Sequence, residues 1–182
     1  MKIFSVLGSP NKNGNTAVLL KEFLRGVKES HSGVEYSDVF LQEKKISFCS
    51  ACNSCRKSLN TCVIKDDMQL LYEEVKSSDI VVLATPVYWW NMTAQLKTFI
   101  DRLYALKSDD FKGKEIVLLM THEGTEEDSG AKVVESSLEQ ICEYLGLKFT
   151  VKYGVSTGEI PVSENQEALG KAYDMGKSLI GK

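Results

Sequence analysis

Two nucleotide-binding signatures are missing from this chain. No Gly-x-x-x-x-Gly-Lys-Ser/Thr run occurs, which makes a nucleoside triphosphate with magnesium a poor fit, and no Gly-x-Gly-x-x-Gly is present for a dinucleotide pyrophosphate. A basic excess is missing too: 22 Lys and Arg stand against 25 Asp and Glu, a formal charge of −3. That balance removes the electrostatic basis for nonspecific DNA or RNA binding, although a small basic patch can still meet a phosphate. No apolar run approaches the length that spans a bilayer, and the apolar N-terminal stretch belongs to a first strand motif, so the expectation is a cytoplasmic protein with no membrane partner. Internal repeats, linkers and low-complexity segments are likewise lacking, and 182 residues with 43% apolar content suffice for one core. The expected organisation is a single domain over 1–182.

Cysteine is present in an odd number, five, with no secretory segment to favour disulfides. Cys142 stands alone on a helical pattern and reads as a small buried hydrophobe. The other four crowd into Cys49, Cys52, Cys55 and Cys62, with two, two and six intervening residues. Three closely spaced thiolates can surround a compact metal centre and the longer loop can return the fourth. A partly buried set of thiols packed beside a cofactor, or a reversible thiol pair, would use the same residues. Lys44, Lys45, Arg56, Lys57 and Lys65 flank this segment. They could offset thiolate charge, steer a phosphorylated ligand, or simply be a charged surface.

Along the chain, apolar strands alternate with amphipathic helices. Strands are expected at Ile3 to Leu7, Val34 to Leu41, Asp79 to Ala84, Glu115 to Thr121 and Leu147 to Val155. Helices are expected over Thr16 to Glu29, from Asp66 and Asp67 through Val75, and over Met92 to Leu106, Lys132 to Leu145 and Asn165 to Ile180. This alternation argues for an α/β three-layer sandwich, a five-stranded parallel sheet of order 2-1-3-4-5 covered on both faces, with a cysteine-rich insertion at about 47–65. In such a sheet ligands sit beyond the carboxyl ends of the strands.

Three loops meet there. The first, Gly8 to Thr16, follows the first strand and opens a helix, whose free N–H groups and dipole attract an anion. Ser9, Asn11, Asn13, Asn15 and Thr16 add uncharged donors around Gly14, an arrangement suited to a terminal monophosphate. The second, Thr85 to Asn91, carries Pro86, Val87, Tyr88, Trp89 and Trp90, a flat aromatic body for a planar ligand. The third, Thr121-His122-Glu123-Gly124-Thr125, brings a backbone turn to the same mouth. His122, without a visible carboxylate partner, reads as an ordinary loop residue, and Asp101 and Arg102 read as a salt-bridged pair at a helix end.

The segments GSPNKNGNT, CVIKDDM and TPVYWWNMTAQLKTFIDRLY, which lie within the first 105 residues, resemble the flavodoxin-like family of NAD(P)H-dependent FMN reductases, including its iron–sulfur flavoprotein branch. The resemblance implies FMN as cofactor and NAD(P)H as co-substrate. It implies a phosphate site at Ser9, Asn11, Asn15 and Thr16, an isoalloxazine site at Pro86 to Trp90, and a flank for the ring around Glu123 and Gly124. It further implies a homodimer or dimer of dimers that passes electrons to a small-molecule acceptor or a small redox protein. The iron–sulfur branch carries a compact cysteine motif between its second strand and second helix, which implies a four-iron four-sulfur cluster at Cys49, Cys52, Cys55 and Cys62. With no cluster, a free flavin, a quinone or another flat acceptor would meet the reduced flavin directly. A noncatalytic module on the same fold would use the phosphate loop alone and leave the paired tryptophans unexplained.

Overall fold

The computed structural model describes residues 1–57 and 61–180. Five parallel strands form the sheet: β1 (Lys2–Leu7), β2 (Glu35–Phe40), β3 (Ile80–Tyr88), β5 (Glu115–His122) and β6 (Lys148–Ser156), in the order β2-β1-β3-β5-β6. This is the expected order counted over the parallel strands. A sixth strand, β4 (Asn91–Met92), corrects the expected count of five: it folds back antiparallel on the end of β3, pairing Val87 with Met92 and Tyr88 with Asn91. β3 therefore continues past Ala84 to Tyr88, with Pro86 opposite Thr121, and most of the expected second loop is strand.

Period-two alternation in the strands divides the core between the two faces. Phe4, Val6, Val81 and Leu83 point to one face, where they pack with α3 (Met68–Ser77), α4 (Ala94–Arg102) and α5 (Ala131–Leu145). Ile3, Leu7, Val82 and Ala84 point to the other, under α1 (Asn15–Ser30) and α6 (Gln166–Lys177). The central strands are buried on both sides, which is why they read as continuous apolar runs. A short helix, α2 (Ser54–Lys57), lies within the cysteine-rich insertion.

α1 and α6 cross in close contact because each offers a glycine. A Cβ on Gly26 would stand 2.0 Å from the Tyr173 carbonyl oxygen, and one on Gly176 would stand 2.0 Å from that of Phe23. α4 is seated just as firmly. Its N-cap Thr93 accepts the Leu96 N–H and donates its hydroxyl to the Gly8 carbonyl at 2.6 Å, which ties the helix to the start of the first loop.

Candidate cofactor cleft and thiol segment

A cleft of about 790 Å³ opens at the carboxyl ends of β1, β3 and β5. Ser9, Asn11, Gly14, Asn15 and Thr16 line it together with Pro86, Val87, Tyr88, Trp89, Trp90, Thr121, Glu123 and Gly124. All three expected loops thus converge. Asn13 is the one expected cleft residue outside the lining; it is exposed, and its N–H donates to Asn11 Oδ1 at 3.0 Å within the turn. His122, Asp128, Ser129 and Thr157 line the cleft as well.

The first-loop end of the cleft is built from backbone and neutral side chains. No side chain caps α1 at Gly14, and its first turn holds no carboxylate, so the opening N–H groups of this helix are left for an anion. Ser9 Oγ accepts the Asn11 N–H at 3.1 Å and holds the turn. Asn15 Oδ1 accepts the Val162 N–H at 2.9 Å, leaving its amide nitrogen as the free donor of that side chain. The hydroxyls of Thr16 and Thr121 meet at 2.6 Å in a buried contact that links the first loop to the end of β5. No lysine or arginine is among the lining residues.

The aromatic end is a tight hairpin. Trp89 (φ 47°) and Trp90 (φ 60°) both occupy left-handed backbone between β3 and β4, where a two-residue hairpin favours Asn and Gly. Such a conformation is strained for tryptophan and needs support from its surroundings. Trp90 Nε1 donates to the Asp128 carbonyl at 2.6 Å, and Gly130, at φ 85°, brings its backbone so close that a Cβ would lie 2.3 Å from Trp90 Cα. The Glu123–Ser129 loop is thereby clamped against the hairpin. Trp89 projects with 91% exposure, its ring centroid 6.0 Å from that of Trp90.

His122, expected as an ordinary loop residue, belongs instead to a strand. It ends β5, is buried, and among the described residues has no hydrogen-bond partner for either ring nitrogen; the missing side chain of Gly154 leaves it room, Nε2 lying 3.3 Å from where a Cβ would be. Strand alternation was the signal that could have found it, since β5 runs one residue beyond Thr121.

The four clustered cysteines line a second cavity of about 820 Å³ between the insertion, α4 and α5. Its lining shares no residue with that of the cofactor cleft. Cys49 and Cys52 are exposed, while Cys55 and Cys62 are half-buried. Hydrogen bonds from the Ser54 N–H and from the Ser54 and Ser50 hydroxyls draw the Cys52 thiol below its ordinary range, favouring thiolate. Burial instead pushes Cys142 up to about 11, as suits an inert core thiol. Four thiols on one cavity match the donor chemistry of an iron–sulfur cluster. Among the described residues, no three Cys, His, Asp or Glu side chains stand as a ready-made metal group.

The expected Asp101–Arg102 pair does not form. Asp101 binds Lys97, one turn back at 2.7 Å, whereas Arg102, 2% exposed, reaches Asp66 through two bonds of 2.7 and 3.1 Å. Burial by itself would raise the Asp66 carboxyl, but the Arg102 guanidinium and the Ser47 N–H overcome it and hold the group below the usual carboxylate range.

Residues 1–160 match the family described as NADPH-dependent FMN reductase. An iron-sulfur flavoprotein of Archaeoglobus fulgidus is 35% identical over 180 residues, covering 98% of this chain and 79% of that protein. Another, from Methanosarcina thermophila, is 32% identical over 154 residues, 85% of this chain and 78% of the relative. Among solved structures, an FMN-dependent NADH-azoreductase from Bacillus anthracis in complex with FMN superposes over the whole of both chains with TM-score 0.75 at 16% identity, a likeness of fold. The chain belongs to the NADPH-dependent FMN reductase family of oxidoreductases.

Proposed function

We propose that this chain binds FMN in the carboxyl-end cleft and oxidises NAD(P)H, delivering the electrons to a flat small-molecule acceptor or a small redox protein. The observation that carries this reading is the convergence of an uncapped helix N-terminus and an aromatic hairpin in one cleft. The first can take a phosphate and the second a conjugated ring. When bound, FMN supplies a two-electron acceptor that can release electrons singly or in pairs. The protein's share is alignment. Ser9, Asn11, Asn15 and Thr16 hold the anionic tail with neutral donors, and Pro86 to Trp90 fix the plane of the ring. The Glu123 and Gly124 turn closes the opposite side. None of these side chains needs to exchange a proton in the reaction. The exposed Tyr88 and Trp89 leave an aromatic surface at the mouth for the nicotinamide, the acceptor or a second copy of the chain.

Purified protein is expected to retain FMN and to oxidise NADH or NADPH when an artificial acceptor is supplied. Tight FMN binding with no turnover of either nicotinamide would sink the enzymatic reading.

A second reading, an iron–sulfur flavoprotein in which Cys49, Cys52, Cys55 and Cys62 hold a four-iron four-sulfur cluster, is favoured by their place on a single cavity and by the named relatives. The chain would then pass electrons singly to a redox protein. Anaerobic protein should contain iron and acid-labile sulfide, both lost on Cys52→Ser or Cys55→Ser. Failure of anaerobic reconstitution in a folded, FMN-loaded sample would reject the cluster.

A further inference from the structure

We infer that Arg102 is the positioning residue of the thiol segment, clasping both ends of the insertion and donating a hydrogen bond to Cys62 Sγ. Arginine is rarely buried to this extent, and nothing in the flavin cleft requires it there, since Arg102 lines the other cavity. Its guanidinium makes four contacts that converge on the insertion. Nη1 donates to the Ser47 carbonyl at 2.8 Å, just ahead of Cys49, and to Asp66 Oδ2 at 2.7 Å. Nη2 donates to Asp66 Oδ1 at 3.1 Å and lies 3.5 Å from Cys62 Sγ.

Asp66 completes the closure from the other side. Its Oδ2 accepts the Ser47 N–H at 2.9 Å, and its Oδ1 accepts the Met68 N–H at 3.1 Å, where α3 begins. Ser47 is thus held through both its N–H and its carbonyl. The backbone of Arg102 is secured in turn, because the buried Tyr72 hydroxyl of α3 donates to its carbonyl at 3.0 Å. The entry of the segment, its last cysteine and the helix that follows all meet at one planar cation. A fork of fixed geometry is needed to reach a carbonyl, a carboxylate and a sulfur together, and lysine offers only a point charge on a flexible stem.

Two effects follow for the four thiols. The clasp fixes where Cys62 stands relative to Cys49, Cys52 and Cys55, so that a ligand set spread over 14 residues is organised before anything binds. It also sets an N–H donor 3.5 Å from Cys62 Sγ, a hydrogen bond that orients the sulfur. The inference shares its four cysteines with the cluster reading and rests on that reading for the metal it serves. The positioning of Cys62 is tested separately.

The test compares FMN-loaded wild type with Arg102→Lys, Arg102→Met and Asp66→Asn. Labelling of Cys62 by a water-soluble maleimide, resolved by peptide mass spectrometry, is expected to accelerate about tenfold in Arg102→Met, as the local segment opens, and less in Arg102→Lys. FMN content should be unchanged in every variant, because the flavin cleft shares no lining residue with the thiol cavity. After anaerobic reconstitution, iron per FMN should fall in Arg102→Met and fall less in Arg102→Lys, with a lower cluster midpoint potential in the lysine variant, whose hydrogen bond to sulfur is lost. Cys62 labelling within twofold of wild type in folded Arg102→Met and Asp66→Asn protein overturns the inference; if Arg102→Met does not fold, Asp66→Asn and Arg102→Lys carry the same comparison. Wild type that takes up no iron ends the cluster reading, and Cys62 labelling then decides the clasp by itself.

Discussion

At the scale of single residues, two buried polar contacts hold the two sites in shape. The Thr16–Thr121 hydroxyl pair joins the anion loop to β5, and a buried hydroxyl deprived of its partner costs more than the pair contributes. Thr16→Val and Thr121→Val should each destabilise the protein by about 1–2 kcal/mol, and the double variant should recover part of the loss. A denaturant double-mutant cycle with FMN affinity measured in parallel checks this. The Asp66–Arg102 pair is more costly to break: Asp66→Asn should lower stability by about 3 kcal/mol at neutral pH, since it leaves a buried guanidinium without its counter-charge. Its pH dependence has a definite sign. The folded carboxyl titrates below its unfolded value, so its stabilisation is fully present above the ordinary carboxylate range near pH 4 and is lost as pH falls through the lower folded value. Acid unfolding followed by circular dichroism should therefore show a shallower low-pH limb in Asp66→Asn than in wild type. The partner of Arg102 could not be read from its neighbours in sequence. Adjacent helical residues point about 100° apart, which sends Asp101 to Lys97 on the surface and Arg102 inward to a carboxylate 36 positions upstream.

At the scale of elements, the strands and helices were legible because each carries its own period. The apolar runs of β1, β3 and β5 and the helical spacing in α1, α4 and α5 all lie where the sequence places them, within one or two residues at most boundaries and three or four at the C-terminal ends of β3, α4 and α6. The β3–β4 hairpin was not legible. Its turn is made by two tryptophans in left-handed backbone rather than by the Asn-Gly chemistry that marks such turns, and its support comes from Asp128 and Gly130, far along the chain. Helix crossing follows similar logic. Gly26 lies inside a helix, where alanine would ordinarily be preferred, yet its lack of a Cβ lets α6 approach. Gly26→Ala should cost about 2 kcal/mol or more in thermal or chemical unfolding, against the gain its helix propensity would give on an open surface.

At the scale of the whole molecule, two cavities have no lining residue in common, one at the carboxyl ends of the strands and one between the insertion, α4 and α5. Open α/β sheets gather ligands at the carboxyl ends of their strands, and that rule brought residues from three distant loops together correctly, Asn13 excepted. The cysteine spacing drew attention to four thiols that line one cavity, but among the described residues no three Cys, His, Asp or Glu side chains form a ready metal group, and the spacing did not reveal which helices, α4 and α5, would wall that cavity. If the four cysteines hold the proposed cluster, Cys52→Ser should abolish iron and sulfide incorporation, and because the two linings are disjoint it should leave FMN stoichiometry and visible flavin absorbance intact. Parallel assay of FMN, iron, zinc and sulfide on one anaerobic sample provides the check.

α4 is pinned at both ends, by the Thr93 hydroxyl on Gly8 and by the Arg102 fork on Asp66. It therefore acts as a gauge rod of fixed length and fixed phase. One residue inserted between those anchors would lengthen it by only about 1.5 Å but turn its far end by about 100°, swinging the guanidinium away from the insertion while Thr93 stayed seated. The angular tolerance of this helix is far tighter than its tolerance in length, so the four thiols depend on the residue count between two anchors as much as on their own spacing.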